Sequence, residues 1–311
     1  MSSLLQRLER GGVMSLAPMA NFSDSPYRRL CRQAGASFSF SEFISTDAIE
    51  RRLPQAMALL RYHAEERPIV IQIFGNSLRR LYNAASFIAD AGVDGIDINM
   101  GCSVRHVAQK GSGAGMLLNP YRTAKIVEYI AARIPVPLSA KIRLGWDSEH
   151  LNYMEMAHAL EDHGIAFLSV HGRTRAQGYK GSASMEPIAQ IKDAVAIPVL
   201  ANGDIGSYEQ ARQLMQRYRF NGVLIGRAAI GNPAIFTGPG QLAPQGILTV
   251  MERHWQYFVE CKPDQAWLLF RKHLARYLQK AQVDRAVQLR ALNCSSNAEF
   301  EMTIAALQDT V

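Results

Sequence analysis

The sequence contains no C-x-x-C pair. Its four cysteines, Cys31, Cys102, Cys261 and Cys294, lie far apart, a spacing that argues against a disulfide framework and a zinc site. No bound metal is expected, and any chemically special thiol works alone. Long apolar runs are missing as well: nothing approaches the roughly 20 residues needed to cross a bilayer. The first helix-like segment, SSLLQRLERGG, carries charges within its apolar part. A cytoplasmic protein without membrane contact is the expectation. There is no low-complexity tract and no repeat beyond an alternation of strands and helices. Acids are scarce in one place: between Phe270 and Arg290 six basic residues face a single acid, Asp284.

What is present is a chain of 311 residues, 48% hydrophobic, long enough for one large core or a large core plus a small appendage. Lys and Arg outnumber Asp and Glu by 34 to 27, a net charge of +7 that suits a polyanionic partner. Lys272, Arg276 and Lys280 fall at i, i+4 and i+8 and would make one helix face a basic stripe. An isolated stripe of this kind is more often a solvated face than a binding surface.

Short β-branched runs recur at residues 13–19, 38–43, 69–74, 94–99, 137–143, 166–171, 197–202 and 222–226, eight in all. Helical patterns such as LRRLYNAASFIADAGV and YRTAKIVEYIAARI separate them, several ended by the glycine expected just past a helix. Strict alternation implies parallel strands joined by helical crossovers, and eight units within about 230 residues match a (β/α)8 TIM barrel, an α/β fold. Past GPGQLAPQG nothing reads as a strand. The expected organisation is a barrel over residues 1–238 and a small all-helical C-terminal domain over 239–311, in a monomer.

Barrel enzymes build their sites where strands end. Here the ends are polar: Pro18-Met19-Ala20, Ser41-Glu42, Gln72, Asn99 followed by Cys102, Lys141 with Arg143, His171, Asn202-Gly203-Asp204, and Gly226-Arg227. A lysine in a barrel mouth needs an accepting neighbour, which for Lys141 is Glu42, Asp204 or a ligand. The glycines of NGDIG and IGRAAIGNP permit close backbone approach to a phosphate after the seventh and eighth strands, with Arg227 completing an anion site. A flavin mononucleotide and a phosphorylated sugar fit these features alike.

The segments LAPMA, QIFG, DINMGC, the GAG with Leu-Leu at 113–118, KIRLGW, HGRTR, ANGDI, IGRAAIGNP and RKH resemble the tRNA-dihydrouridine synthases, nearest to their bacterial B-type branch. The resemblance covers essentially the whole chain. It implies FMN held by Pro18, Met19, Ala20, Gln72, Lys141, His171, Asn202, Gly203, Asp204, Gly226 and Arg227, NADPH as reductant, and tRNA as partner. It implies further that a tRNA uridine is reduced to 5,6-dihydrouridine, with hydride passing from flavin N5 to C6 and a proton from Cys102 to C5. Asn99, Lys141 and Arg143 are well placed to bind the uracil carbonyls and stabilise enolate charge. With the resemblance, Lys272, Arg276 and Lys280 become the expected holders of the tRNA backbone. The residues at 104–115 are expected to form a mobile segment that brings the thiol over the base.

Two positions depart from the family pattern: Ser103 replaces a proline after the cysteine, and Met185 stands where an aromatic is usual. Two other readings compete. One is an FMN barrel acting on a free pyrimidine, in the manner of dihydroorotate dehydrogenase, which needs no basic platform. The other is a non-catalytic RNA-binding paralogue, which would not need Cys102, Lys141 and His171.

Overall fold

The computed structural model describes residues 3–240 and 242–308. Met1, Ser2, Gln241 and the last three residues lie outside it, so the outer ends of both expected units and one linker position are not among the described residues.

One sheet contains nine strands: β1 (Val13–Leu16), β2 (Ser39–Phe40), β3 (Ile44–Ser45), β4 (Ile69–Phe74), β5 (Gly95–Met100), β6 (Leu138–Arg143), β7 (Phe167–His171), β8 (Val199–Asn202) and β9 (Gly222–Ile225). Every pairing is parallel, in the order β1-β9-β8-β7-β6-β5-β4-β2, with β3 also on β4. β2 and β3 are two pieces of one barrel strand, since Ser39 lies opposite Ile69 and Ile44 opposite Ile73. The run expected as one strand at 38–43 is interrupted because the Ser41 hydroxyl replaces a backbone partner, accepting from Gln72 N at 2.9 Å. The ring closes between β1 and β2, where Ser37 N donates to Met14 O at 2.7 Å and Phe38 N to the Ser15 hydroxyl at 3.1 Å. The result is the expected (β/α)8 barrel with C-terminal helices.

The crossover helices start where the sequence supplies caps. Asp24 with Pro26, Ser77, Asn119 with Pro120, and Ser207 each accept a first-turn amide. Alternation along the strands then sorts side chains by layer, because every second residue faces the barrel interior. The lowest interior layer is apolar: Val13, Phe38, Phe40, Val70, Phe167, Leu200 and Leu224 form a cluster with Leu4 and Leu8 of the N-terminal helix Ser3–Arg10. Leu4 and Leu8 are fully buried, so each contributes on the order of 2 kcal/mol to sealing the barrel floor. Above it the interior turns polar, with Ser15, Gln72, Asp97, Ser139 and Ser169 all buried. The next step brings Asn99, Lys141, His171 and Asn202 to the mouth.

Among the described residues four helices follow the linker, Pro244–Cys261, Ala266–Lys280, Arg285–Leu292 and Asn297–Gln308. The last two occupy a stretch whose polarity hides their packing. Phe300, Ile304 and Leu307 recur at helical spacing and are buried, the Phe300 ring centred 4.2 Å from that of Trp255. Helix Pro244–Cys261 docks on the barrel helix Ser25–Gln33 through Arg29–Glu260 at 2.7 Å and through Tyr27, whose ring lies 5.0 Å from His254. At this junction Asp24 is buried, with Oδ2 3.2 Å from Lys272 Nζ and 3.1 Å from His273 Nε2. Among the described residues no helix is long and apolar enough to cross a membrane.

Candidate active site

A cavity of about 820 Å³ opens at the C-terminal ends of the strands. Pro18, Met19 and Ala20 line it, as do Asn99, Cys102, Lys141, Arg143, His171, Asn202, Gly203, Asp204, Gly226, Arg227 and Arg276. Every cofactor and catalytic candidate except Gln72 therefore shares one wall-to-wall space with Arg276 from the C-terminal helices. Gln72 is fully buried beneath the mouth. Of the other two residues expected to hold tRNA, Lys272 is turned into the junction with Asp24, and Lys280 is exposed at the end of its helix, outside the cavity.

Lys141 reaches across the mouth to Asn202 Oδ1 at 2.9 Å, and Asn202 Nδ2 donates in turn to Leu224 O at 2.8 Å. Neither acid considered as its partner supplies the contact. Glu42 accepts the Asn21 amide, while Asp204 is taken by Arg173 at 2.5 Å and Arg227 at 3.0 Å. Burial, with Arg143 nearby, pushes the Lys141 ammonium down to about 7. A buried cation with one neutral acceptor is a site with room for a ligand acceptor. His171 is driven down to about 2 by burial and by Lys141, Arg143, Arg173 and Arg227, so it presents a neutral imidazole.

Arg143 donates through Nε to Gly101 O at 2.8 Å and through Nη1 to Thr174 O at 2.9 Å and Gly178 O at 3.0 Å, tying the turn before Cys102 to the loop after β7. Burial lowers it to about 10, still charged at neutral pH. Asp204 adopts φ 50°, and its carboxylate also accepts the Ala183 amide at 2.9 Å; partial burial opposes its ionisation, but Arg173 and Arg227 keep it lowered. Gly203, at φ +125°, packs so tightly that a Cβ would lie 2.5 Å from Ala183 Cβ and 3.0 Å from the His171 ring.

Cys102 is half-buried at the cavity wall. The segment that follows is folded rather than a loop throughout: residues Arg105–Gln109 form a short helix and Gly113–Leu118 a 3₁₀ turn that buries Ala114, Met116 and Leu117. Gly113 at φ +56° allows this return, since a Cβ there would lie 2.9 Å from Cys102 Cβ. Ala114 N closes the turn on Cys102 O at 3.2 Å. Ser103 lines the cavity, whereas Met185 packs on the main core away from it. The sequence reading missed Phe22, Phe43, Arg173 and Tyr179 on the cavity wall. Arg173 was visible at a strand end in HGRTR, but Tyr179 follows a strand by eight residues and carries no local signal; its ring lies 4.8 Å from the Arg227 guanidinium carbon.

The profile of the family described as Dihydrouridine synthase (Dus) matches residues 15–310. The chain belongs to the dihydrouridine synthase family. Similar curated relatives include tRNA-dihydrouridine synthase B of Pseudomonas syringae pv. tomato, 41% identical over 221 residues, which are 71% of this chain and 66% of that protein. Another is tRNA-dihydrouridine synthase B of Pasteurella multocida, 33% identical over 282 residues, or 86% of this chain and 84% of that protein. The probable tRNA-dihydrouridine synthase 1 of Synechocystis is 37% identical over 274 residues, 84% of this chain and 76% of its own. The match of this dihydrouridine synthase family chain to the Pseudomonas syringae protein thus spans about two thirds of that protein's length. Among solved structures, a 2-naphthoyl-CoA reductase complex aligns with TM-score 0.52 at 13% identity, over 72% of this chain and 49% of that one. Histamine dehydrogenase from Rhizobium sp. 4-9 gives TM-score 0.52 at 10% identity, over 79% and 48%. At such identities the likeness concerns the barrel fold alone.

Proposed function

We propose that the chain reduces a uridine of tRNA to 5,6-dihydrouridine with FMN bound in the barrel mouth and NADPH as the reductant. The observation that carries this reading is the placing of Cys102 on the same cavity wall as Lys141, His171 and the Gly203 and Gly226 strand ends. These residues fit a flavin phosphate and ring. Gly226 leaves its face open, with nothing nearer to a would-be Cβ than Met19 Sδ at 3.6 Å. Lys141 offers an ammonium, and His171 a neutral ring able to accept or donate. A reduced flavin held there would supply the hydride that adds to C6 of the uracil.

The chain's own residues complete the addition. Hydride at C6 leaves an electron pair at C5, and the Cys102 thiol gives its proton to that carbon, so the C5=C6 π bond gives way to one new C–H bond at each carbon and the C5–C6 single bond remains. The resulting thiolate is reprotonated from solvent. Arg143, tied to Gly101 O, stays charged beside the turn and, with Lys141, steadies negative charge growing on the uracil oxygen. A base can lie in this cavity only after leaving its stack. Arg276 favours a polymeric substrate over a free pyrimidine, because it brings a cation from the C-terminal helices into the cavity wall. Arg276 and Lys280 are exposed and lack an acidic partner among the described residues, so they can meet phosphates, whereas Lys272 is held by Asp24.

The test is to purify the protein, record a flavin spectrum, and measure dihydrouridine formed in tRNA lacking it. Cys102→Ala should keep the bound flavin and lose at least about a hundredfold in uridine reduction, the usual scale of a general acid. A colourless protein, or a variant as active as the wild type, would overturn the reading.

A further inference from the structure

Beneath the mouth runs a chain of hydrogen bonds with a defined direction. The fully buried Asp97 accepts from the Ser139 hydroxyl at 2.6 Å and from Gln72 Nε2 at 2.7 Å. Gln72 Oε1 accepts from Asn99 Nδ2 at 2.8 Å, and Asn99 Oδ1 accepts from Gly101 N at 3.2 Å and Cys102 N at 2.9 Å. An ionised carboxylate only accepts, so it forces the Gln72 amide to present its NH₂ group. That choice aims the Gln72 oxygen at Asn99, which must then turn its own NH₂ inward and its oxygen toward the cysteine turn. The register of the sheet makes the chain continuous: Gln72 lies opposite Asp97, and Asp97 opposite Ser139.

We propose that Asp97 is a positioning residue for Cys102, acting through Gln72 and Asn99 to hold the Gly101–Cys102 amides and thereby the thiol's place at the cavity wall. This rests on the reading of Cys102 as the proton donor for its functional meaning, but the positioning itself is a property of the chain alone. Replacing the carboxylate by leucine, of similar branched shape and with no acceptor, leaves the Gln72 NH₂ group unpaired and drives the chain to reverse. Gln72 and Asn99 flip, and the NH₂ group of Asn99 then faces two amide N–H groups, which frees the turn.

The experiment is alkylation of the thiols by iodoacetamide at pH 8, resolved by peptide mass spectrometry, with the half-buried Cys261 as internal control. Asp97→Leu should raise the Cys102 rate at least fivefold relative to Cys261. The double variant Asp97→Asn with Gln72→Glu returns a purely accepting group to the middle of the chain: the amide introduced at position 97 and the amide of Asn99 both donate to it, and the Asn99 oxygen points again at Cys102 N. Its Cys102 rate should fall back to within twofold of the wild type. An unchanged rate in the single variant overturns the proposal. So does failure of the double variant to restore the rate, or to restore folding if the single variant does not fold, because a packing role gains nothing from relocating the charge. Uridine reduction by the wild type is measured in parallel; its absence would remove the proposed function and leave the alkylation result to decide the relay.

Discussion

Substituting Asn for Asp24 isolates one charge at the junction between barrel and C-terminal helices. Asp24 Oδ1 caps helix Ser25–Gln33 by accepting from Tyr27 N at 3.1 Å, and Asn caps as well as Asp. The other oxygen faces Lys272 Nζ and His273 Nε2. Burial alone would raise the carboxyl, but His273 and Lys272 override it and hold Asp24 well below the usual carboxylate range. In Asp24→Asn that oxygen becomes an NH₂ group that suits a neutral His273 and opposes the Lys272 ammonium. Breaking a buried ion pair from one side costs about 3–5 kcal/mol, and the 28% exposure of the Lys272 side chain lets it relax toward water, so about 3 kcal/mol is expected. Adding Lys272→Met to Asp24→Asn removes the opposition, so the double variant should recover about 2 kcal/mol of that loss. The assay is guanidinium denaturation of all four corners of the cycle at pH 7.5. A coupling energy below about 0.5 kcal/mol would refute the reasoning, since that is within ordinary additivity error. The pH dependence follows with its sign. A depressed carboxyl stabilises the fold above its ordinary pKa of 3.8, and that contribution fades as the pH falls below it. His254 and His273 are lowered by burial, so the unfolded chain takes up their protons first and stability declines as the pH drops through 6.5.

Lys141 should give flavin binding a basic limb: its ammonium, lowered to about 7, loses its proton as the pH rises, so affinity measured by flavin fluorescence should weaken between about pH 6 and 8.5. Lys141→Met should bind more weakly and show no such limb. Charge reversal at Arg276 and Lys280 together should weaken tRNA binding by at least tenfold at 0.1 M salt and reduce its salt dependence, read by filter binding, with flavin content unchanged. Lys272→Met should affect tRNA affinity less than Arg276→Ala does.

Much of the barrel was legible in the sequence because strand alternation and crossover helices leave period-two and period-3.6 marks that need no partner to interpret. The strand-end residues were legible for the same reason: an inward polar residue at the end of an apolar run has few alternative uses. What escaped reading depended on contacts across the fold. The break of the second strand follows from a serine hydroxyl meeting Gln72 N, the packing of the last helix from a Phe300 face set against Trp255 and Phe270, and the diversion of Lys272 from an aspartate 248 positions earlier. Helical spacing put Lys272, Arg276 and Lys280 on one stripe, yet only tertiary packing decides which of them remains available to an anion.

The apolar floor of the barrel also decides from which side Lys141 is open to water. Phe38, Phe40 and Phe167 pack edge-on or tilted within 6.4 Å of one another below Asp97 and Lys141, and Leu4 and Leu8 plug the opening beneath them. This floor offers Lys141 no polar neighbour from below, and the cavity at the strand ends is the side on which it meets solvent. A ring seated in that cavity would cover the one face of Lys141 that the floor leaves open to water.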